Sequence, residues 1–332
     1  MKRSLVQALF VLLAWSAGLA MVPAAQPAGS DPAASFPSKP IRIVVGFSPG
    51  GLPDISARLI GQKLLESWKQ QVVVDNRPGA GGTIAAQIVA SANPDGYTLL
   101  SVSNAHAVAP AIYAKLPYDT IKDFAGITAT ANGPAVLLVS PTLGVKSAGE
   151  LVALAKTKPG QFNFSSAGVG SGTHFAAELF KSMAGIDVVH IPYKGIPEAI
   201  TETMTGRVQF FLSPLASALN LVKEGKVPAV GVTSTKRVSQ LPDVPTVAES
   251  GLPGYRWDFW YGLLAPAQTP RPIIAKLNRE ITGILKQPEL RNRWVALGAE
   301  PAPTTPAQFD QLIAEDIATL TRLARASNIK AE

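Results

Sequence analysis

Ser171 and His174 are the residues whose types and spacing could carry covalent chemistry, since a serine three places before a histidine is the barest nucleophile–base pair. Their setting is Gly168-Val169-Gly170-Ser171-Gly172. A nucleophile elbow centred on Ser171 requires Gly at 169, where the chain has Val. The same loop fails the dinucleotide pattern G-x-G-x-x-G at Thr173, and no phosphate-cradling G-x-x-x-x-G-K-[ST] occurs. The chain has 3 histidines, His106, His174 and His190, without H-x-x-x-H spacing, and no cysteine. Neither a metal site nor a cofactor is expected. No carboxylate pair close in sequence suggests acid–base work. A secreted serine hydrolase acting on a small acid or ester, through Ser171 and His174, stays the alternative. The expectation is a protein that is not an enzyme.

A non-covalent chemistry suits the chain better. The apolar run Ile41–Val45 enters Gly50-Gly51, and a helical pattern opens at Pro53. The first turn of a helix leaves amide N–H groups unpaired and carries partial positive charge, so it suits an anion. An ordinary strand–turn–helix crossover would read the same way. The device recurs, however, at five strand ends: 48–51, 79–83, 103–104, 165–174 and 213–214. In open α/β sheets ligands bind outside the carboxyl ends of strands, where such loops converge. The predicted cleft offers backbone amides and the hydroxyls of Ser48, Thr83, Ser103, Ser165, Ser166, Ser171 and Thr173. Lys194 reads equally as a contact or as a solvated lysine, and His174 equally as pocket or structure. His190 lies within a strand and reads as a core or edge residue. Trp257, Phe259, Trp260 and Tyr261 read as core or hinge packing.

The elements that must position these loops alternate between strand and helix patterns, the signature of mainly parallel sheets with helices on their faces. A change of half is expected near Asn132-Gly133-Pro134, ahead of a strand Val136–Ser140, and a second crossing in the Pro/Gly-rich Leu241–Gly254. One half, 36–135, is then interrupted by a second, 136–250, and completed by a returning segment and C-terminal helices, 251–332. Ser147/Glu150 and Thr305/Gln308 are capping boxes. Lys2 and Arg3 precede an apolar run ending in small residues, so residues 1–25 read as an export signal and 26–35 as a loose mature terminus.

Of 332 residues, 47% are hydrophobic and 16% charged, a globular composition long enough for two domains. Removing Lys2 and Arg3 takes the formal charge from +7 to about +5. The basic residues are dispersed, which speaks against nucleic acid as a partner and for small anions. After the leader no apolar run approaches the roughly 20 residues of a membrane span.

Several stretches resemble the extracytoplasmic solute-binding proteins of tripartite tricarboxylate transporters, the Bug family. They are Pro40-Ile41-Arg42 through Gly50-Gly51 and Asp54, Val74-Asp75-Asn76-Arg77-Pro78-Gly79-Ala80-Gly81-Gly82, and Pro94-Asp95-Gly96-Tyr97-Thr98. Leu116-Pro117-Tyr118-Asp119, His190-Ile191-Pro192-Tyr193-Lys194-Gly195, Leu241–Glu249 and Gly262–Pro266 continue the likeness in the same order. The resemblance implies a two-domain, type II-like periplasmic-binding-protein fold of class α/β with a hinge. It implies a periplasmic receptor that closes on a small organic anion and delivers it to the transporter's membrane subunits, or presents it to a sensor ectodomain. A monomer is expected. The family's ligand loops fall here on Phe47, Ser48, Gly50, Gly51 and Asp54, on Gly81 and Thr83, on Ser103 and Asn104, and on Ser165, Ser166, Gly170, Ser171, Thr173 and His174. Where many relatives carry an Asp, this chain has Ser213, which removes a charge that would favour amino-acid ligands.

Overall fold

The computed structural model describes residues 31–326 and 329–330. The export-signal reading of 1–25, and the loose terminus up to residue 30, lie outside the described residues. From Pro32 the chain forms a single compact unit.

In chain order come β1 (Ile41–Val45), α1 (Leu52–Trp68), β2 (Val72–Asn76), α2 (Thr83–Ala90), β3 (Thr98–Ser103) and α3 (Ala105–Ile112). The long β4 (Phe124–Val139) leads into α4 (Ala148–Lys156), β5 (Phe162–Ser166), α5 (Gly172–Ala184), β6 (Val188–Pro192) and α6 (Ile196–Met204). Then follow β7 (Phe210–Pro214), α7 (Leu215–Lys223), β8 (Ala229–Val232) and β9 (Asp258–Pro266). The chain ends with α8 (Arg271–Leu285), α9 (Pro288–Ala296), β10 (Glu300–Pro301) and α10 (Pro306–Ala326).

The strands lie in the order β2-β1-β3-β9-β4-β7-β5-β6, with β8 and β10 beside β4. Their ladders divide into two sheets that share β4. Outer strands are parallel: β1 with β2 and β3, β5 with β6 and β7. The central pairings of β9 and β4 are antiparallel. β1 is four β-branched residues around Arg42, buried except at that arginine, as a strand covered on both faces should be.

The stretch 132–134, expected to lie ahead of a strand beginning at Val136, instead lies inside one. β4 runs 16 residues through it and changes partner there. Up to Pro134 it pairs with β9, and from Ala135 with β7 and, from Val136, with β8. Proline donates no ladder hydrogen bond, so it is tolerated where one ladder stops and another starts. Sequence periodicity also passes over α3, α9 and the first half of β4.

Caps close several helices as their sequences dictate. Ser147 Oγ accepts from Glu150 N, while the Glu150 carboxylate accepts from Lys146 N. Thr305 and Gln308 exchange backbone-to-side-chain bonds at the start of α10. Gly185, at φ 59°, ends α5 in the left-handed conformation. The main core runs along both sheets, and a smaller cluster packs α6 and α7 on β4 and β7 through Val136, Leu138, Phe211 and Leu215.

Candidate functional site

The β1–α1 loop owes its shape to a buried carboxylate. Asp54 is 3% exposed and accepts from Gly50 N (3.0 Å), Asn76 Nδ2 (3.0 Å) and Arg58 Nε. Asn76 Nδ2 also donates to Phe47 O at 3.1 Å, so both ends of the loop hang on one charge. Burial pushes the Asp54 carboxyl up, but Arg58, Gly50 N–H and Asn76 together hold it below the usual range. Gly46 lets the loop approach its neighbour, since a Cβ there would stand 2.7 Å from Gly82 Cα.

Opposite, β5 runs into α5 through a hydroxyl network. Ser171 Oγ caps α5 by accepting from His174 N, and Thr173 Oγ1 accepts from Ala167 N. The two hydroxyls share one bond at 2.8 Å. Two hydroxyl protons serve one mutual bond, which leaves one proton for a ligand.

Between these loops lies a narrow cleft, about 440 Å³ of non-atom space that includes open solvent. Its lining contains the starts of five helices: Gly51 for α1, Asn104 for α3, Ser171 for α5, Ile196 for α6 and Pro214 for α7. Their dipoles add at one place. Ser48, Ser103 and Thr173 add hydroxyls, and Asn104 Oδ1 is buried without a protein partner. Phe47, Pro53, Phe259 and Tyr261 form one apolar wall, Ala167 and Pro197 part of the other. The lining includes no charged residue and no histidine.

The remaining expected residues fall into distinct places. Gly81 and Lys194 border a second, open cavity of about 590 Å³, and Lys194 is exposed. Thr83, Ser103 and His106 line a third, of about 280 Å³, behind Phe47. Phe47 lines all three. Gly50 and Asp54 shape the first loop from behind. Ser165 is fully buried against Ala199 O and Thr203 Oγ1. Ser213 is fully buried too and donates to Pro214 O at 3.1 Å, so Pro214 rather than Ser213 faces the cavity.

His174 and Ser166 belong to a layer below. The His174 ring stacks on His190 at 3.9 Å, its Nδ1 accepts from Gly170 N, and Ser166 Oγ lies 2.6 Å from His190 Nε2. Burial lowers His174 to about 4, and burial with the neighbouring His174 lowers His190 to about 3. Ser171 Oγ thus bonds the backbone of His174 while the imidazole is occupied elsewhere, an arrangement of helix cap and packed ring rather than of nucleophile and base.

From the sequence, Pro53 reads as a helix start and Gly172 as part of the 165–174 loop, Ile196 and Pro197 carry no site signal, and Phe259 and Tyr261 read as packing. The alternation of β9 carried the missing signal: residues 259 and 261 point to one face and 260 to the other, where Trp260 Nε1 donates to Asp316.

Two sheets sharing a strand, with helix N-termini gathered about a cleft between them, define the two-domain fold of periplasmic solute-binding proteins. The chain belongs to the tripartite tricarboxylate transporter receptor family, whose model matches residues 56–329. Protein BugT of Bordetella pertussis is 33% identical over 308 residues, covering 92% of this chain and 94% of its own. Among solved structures, R. palustris Rpa4515 with adipate has a TM-score of 0.86 at 32% identity, covering 89% of this chain and 99% of that one. MatC (Rpa3494) from Rhodopseudomonas palustris with bound malate has a TM-score of 0.82 at 33% identity, covering 87% and 99%. The protein is a solute-binding receptor of that family.

Proposed function

We propose that the chain is a periplasmic receptor that captures a small organic carboxylate between its two halves and delivers it to the membrane subunits of a tripartite tricarboxylate-type transporter. The observation that carries the reading is the convergence of five helix N-termini on a cavity with no charged side chain. Such a site holds an anion by fixed dipoles and hydroxyl donors and offers no group to transform it. Two structural neighbours, solved with adipate and with bound malate, support the same class.

The halves follow the division at 36–135 and 251–332 against 136–250, with β4 and the segment before β9 as hinge strands. Closure is favoured by a ligand only through contacts made to both halves, and the cavity lining comes from both. Residues 1–25 are removed on export, and the mature protein acts as a monomer without a cofactor.

Thermal unfolding of residues 26–332 against mono-, di- and tricarboxylates, aromatic acids, amides and amino acids tests this. A ligand at a hundred times its Kd stabilises the native state by about 2.7 kcal/mol. At roughly 2–4 °C per kcal/mol for this size, the midpoint should rise by several degrees. A rise with acids, without turnover, is expected. Turnover abolished by Ser171→Ala would favour the hydrolase instead.

A further inference from the structure

Where β4 exchanges partners between the halves, one residue takes up every backbone group that the exchange leaves over. β4 pairs with β9 up to Pro134, which lies opposite Asp258, and with β8 from Val136, which lies opposite Val232. Continued by one residue, the first ladder would set Ala135 against Trp257. Thr233 stands between them instead. Its N–H donates to Ala135 O (2.9 Å), and its carbonyl accepts from Trp257 N (3.3 Å). Its Oγ1 accepts from Ala135 N at 2.7 Å. The hydroxyl has one proton to give, and Trp257 O is the nearer of its two carbonyl neighbours, Ala135 O standing 3.2 Å away. Both N–H and both C=O groups of Ala135 and Trp257 are thus satisfied by Thr233, half of them through its backbone and half through its hydroxyl. Solvent is excluded, since Thr233 and Ala135 are fully buried and Trp257 is nearly so. The wedge also touches both walls of the cleft. Ala135 lies opposite Pro214 in the β4–β7 ladder, the Trp257 ring meets Phe259 edge-on at 6.2 Å, and Pro214 and Phe259 both line the cleft.

We infer that Thr233 is a positioning residue whose hydroxyl holds the strands apart at the hinge and so sets the orientation of the two halves. The inference rests on the hinge-closure reading above and deepens it. A hydroxyl is acceptor and donor at once, so it can serve a peptide N–H and a carbonyl together, whereas an apolar side chain of the same shape serves neither. Without it, Ala135 N–H and Trp257 C=O are buried and unpaired, a state that folded chains avoid. The partner nearest at hand for each is the other. Joining them requires β4 and β9 to zip one residue further, across a gap of about one strand spacing, roughly 4.8 Å. The loss is therefore relieved by reorienting the halves, which a change in a rigid core would not require.

Spin labels on Gln87→Cys and Lys223→Cys, exposed positions of α2 and α7, put one probe on each half of a chain with no other cysteine. Pulsed electron resonance then reads the distance between the halves in the mature protein, first without ligand. Thr233→Val should displace or broaden that distribution by roughly 3 Å or more. Thr233→Ser, which keeps the hydroxyl, should reproduce the wild-type distribution. Unfolding midpoints show which variants are folded, and Thr233→Ala replaces the valine variant, with the same expectation, if that one is not. A merely structural role would lower the midpoint of Thr233→Val and leave the distances of the folded protein unchanged, and that result overturns the inference. A serine variant that follows valine rather than wild type overturns it as well. The same labels, read in the wild type with adipate, malate and benzoate in turn, test closure separately. Distances unmoved by all of these acids count against the carboxylate reading, while the wedge is judged on the ligand-free protein.

Discussion

At the scale of single residues, Asp54 is the group on which the first ligand loop depends. It lies in the first turn of α1, where a negative charge is already favoured by the helix dipole. Instead of facing the cavity, it gathers Gly50 N–H, Asn76 and Arg58, and through Asn76 it holds Phe47 O. Hydrogen bonds to a charged group contribute about 1.5–3 kcal/mol, and buried donors left without one cost about 1–3 kcal/mol. Asp54→Ala should therefore lower the unfolding midpoint by roughly 3–10 °C at this chain size. It should also weaken ligand binding, because the loop bearing Ser48 and Gly51 loses its anchor. Asp54→Asn keeps the volume and one acceptor and should lie between the two. Calorimetry with titration of the best acid separates the effects, and unchanged stability and affinity in Asp54→Ala would refute the anchor. The sequence exposed the type and place of this residue, as it did those of Ser48, Ser171 and Thr173. The direction of the Asp54 side chain depends on Asn76, 22 residues away on β2, and no local pattern encodes that contact.

At the scale of elements, the two halves meet where side chains are absent. A Cβ on Gly195 would stand 2.9 Å from Ser48 Oγ, one on Gly81 2.9 Å from Val169 O, and one on Gly172 2.2 Å from Asn104 Oδ1 and 3.0 Å from Phe259 Cε1. Each pair joins opposite sides of the cleft. Gly172 has no left-handed backbone requirement, so Gly172→Ala tests contact alone. Asn104 is buried and the Phe259 ring closes the other flank, so the added methyl should hold the halves apart. We expect Gly172→Ala to weaken the best ligand at least tenfold, about 1.4 kcal/mol, with the unliganded midpoint changed by less than about 3 °C. Gly283→Ala, in α8 with open space around its Cβ, serves as the control and should gain roughly 0.5–1 kcal/mol. Undiminished affinity in Gly172→Ala would mean that binding does not require this approach. Strand ends running into small residues were legible because turn chemistry is local. That Phe259 and Tyr261 complete the cavity was not, since β9 reaches it from more than 80 residues beyond the Ser171 loop. The continuity of β4 was hidden by Asn132-Gly133-Pro134, a sequence that reads as a stop and here marks an exchange of partners.

For the whole molecule, burial of uncharged histidines makes stability depend on pH. His106 is held near 4 by burial, opposed by a hydrogen bond with the Thr120 backbone, and its Nε2 has no protein partner. His174 and His190, stacked at 3.9 Å, are held near 4 and 3. In the unfolded chain all three protonate near the ordinary value of about 6.5. Between that value and about 4 the unfolded state therefore binds more protons than the native one, and stability rises with pH. Each neutral histidine contributes up to about 1.4 kcal/mol per pH unit in that window, fully present above the unfolded value and lost on acidification. Glu178, Asp310 and Asp316, raised by burial, act with the opposite sign at the acid end, because they keep a proton in the folded state. The net slope alone is thus ambiguous, and a difference between variants is the informative quantity. His106→Leu removes one titrating group, isolated from the stacked pair, and should flatten the fall in unfolding midpoint between pH 6.5 and 5 by roughly 3–6 °C per unit, whatever it does to the midpoint at pH 7. Parallel curves for the two proteins would show that His106 is protonated or solvated in the native state. A flattened curve would establish that the layer beneath the β3 loop stays neutral under mild acid. Acidification would then cost the protein global stability through this neutral support, and not through any charge in the cavity itself.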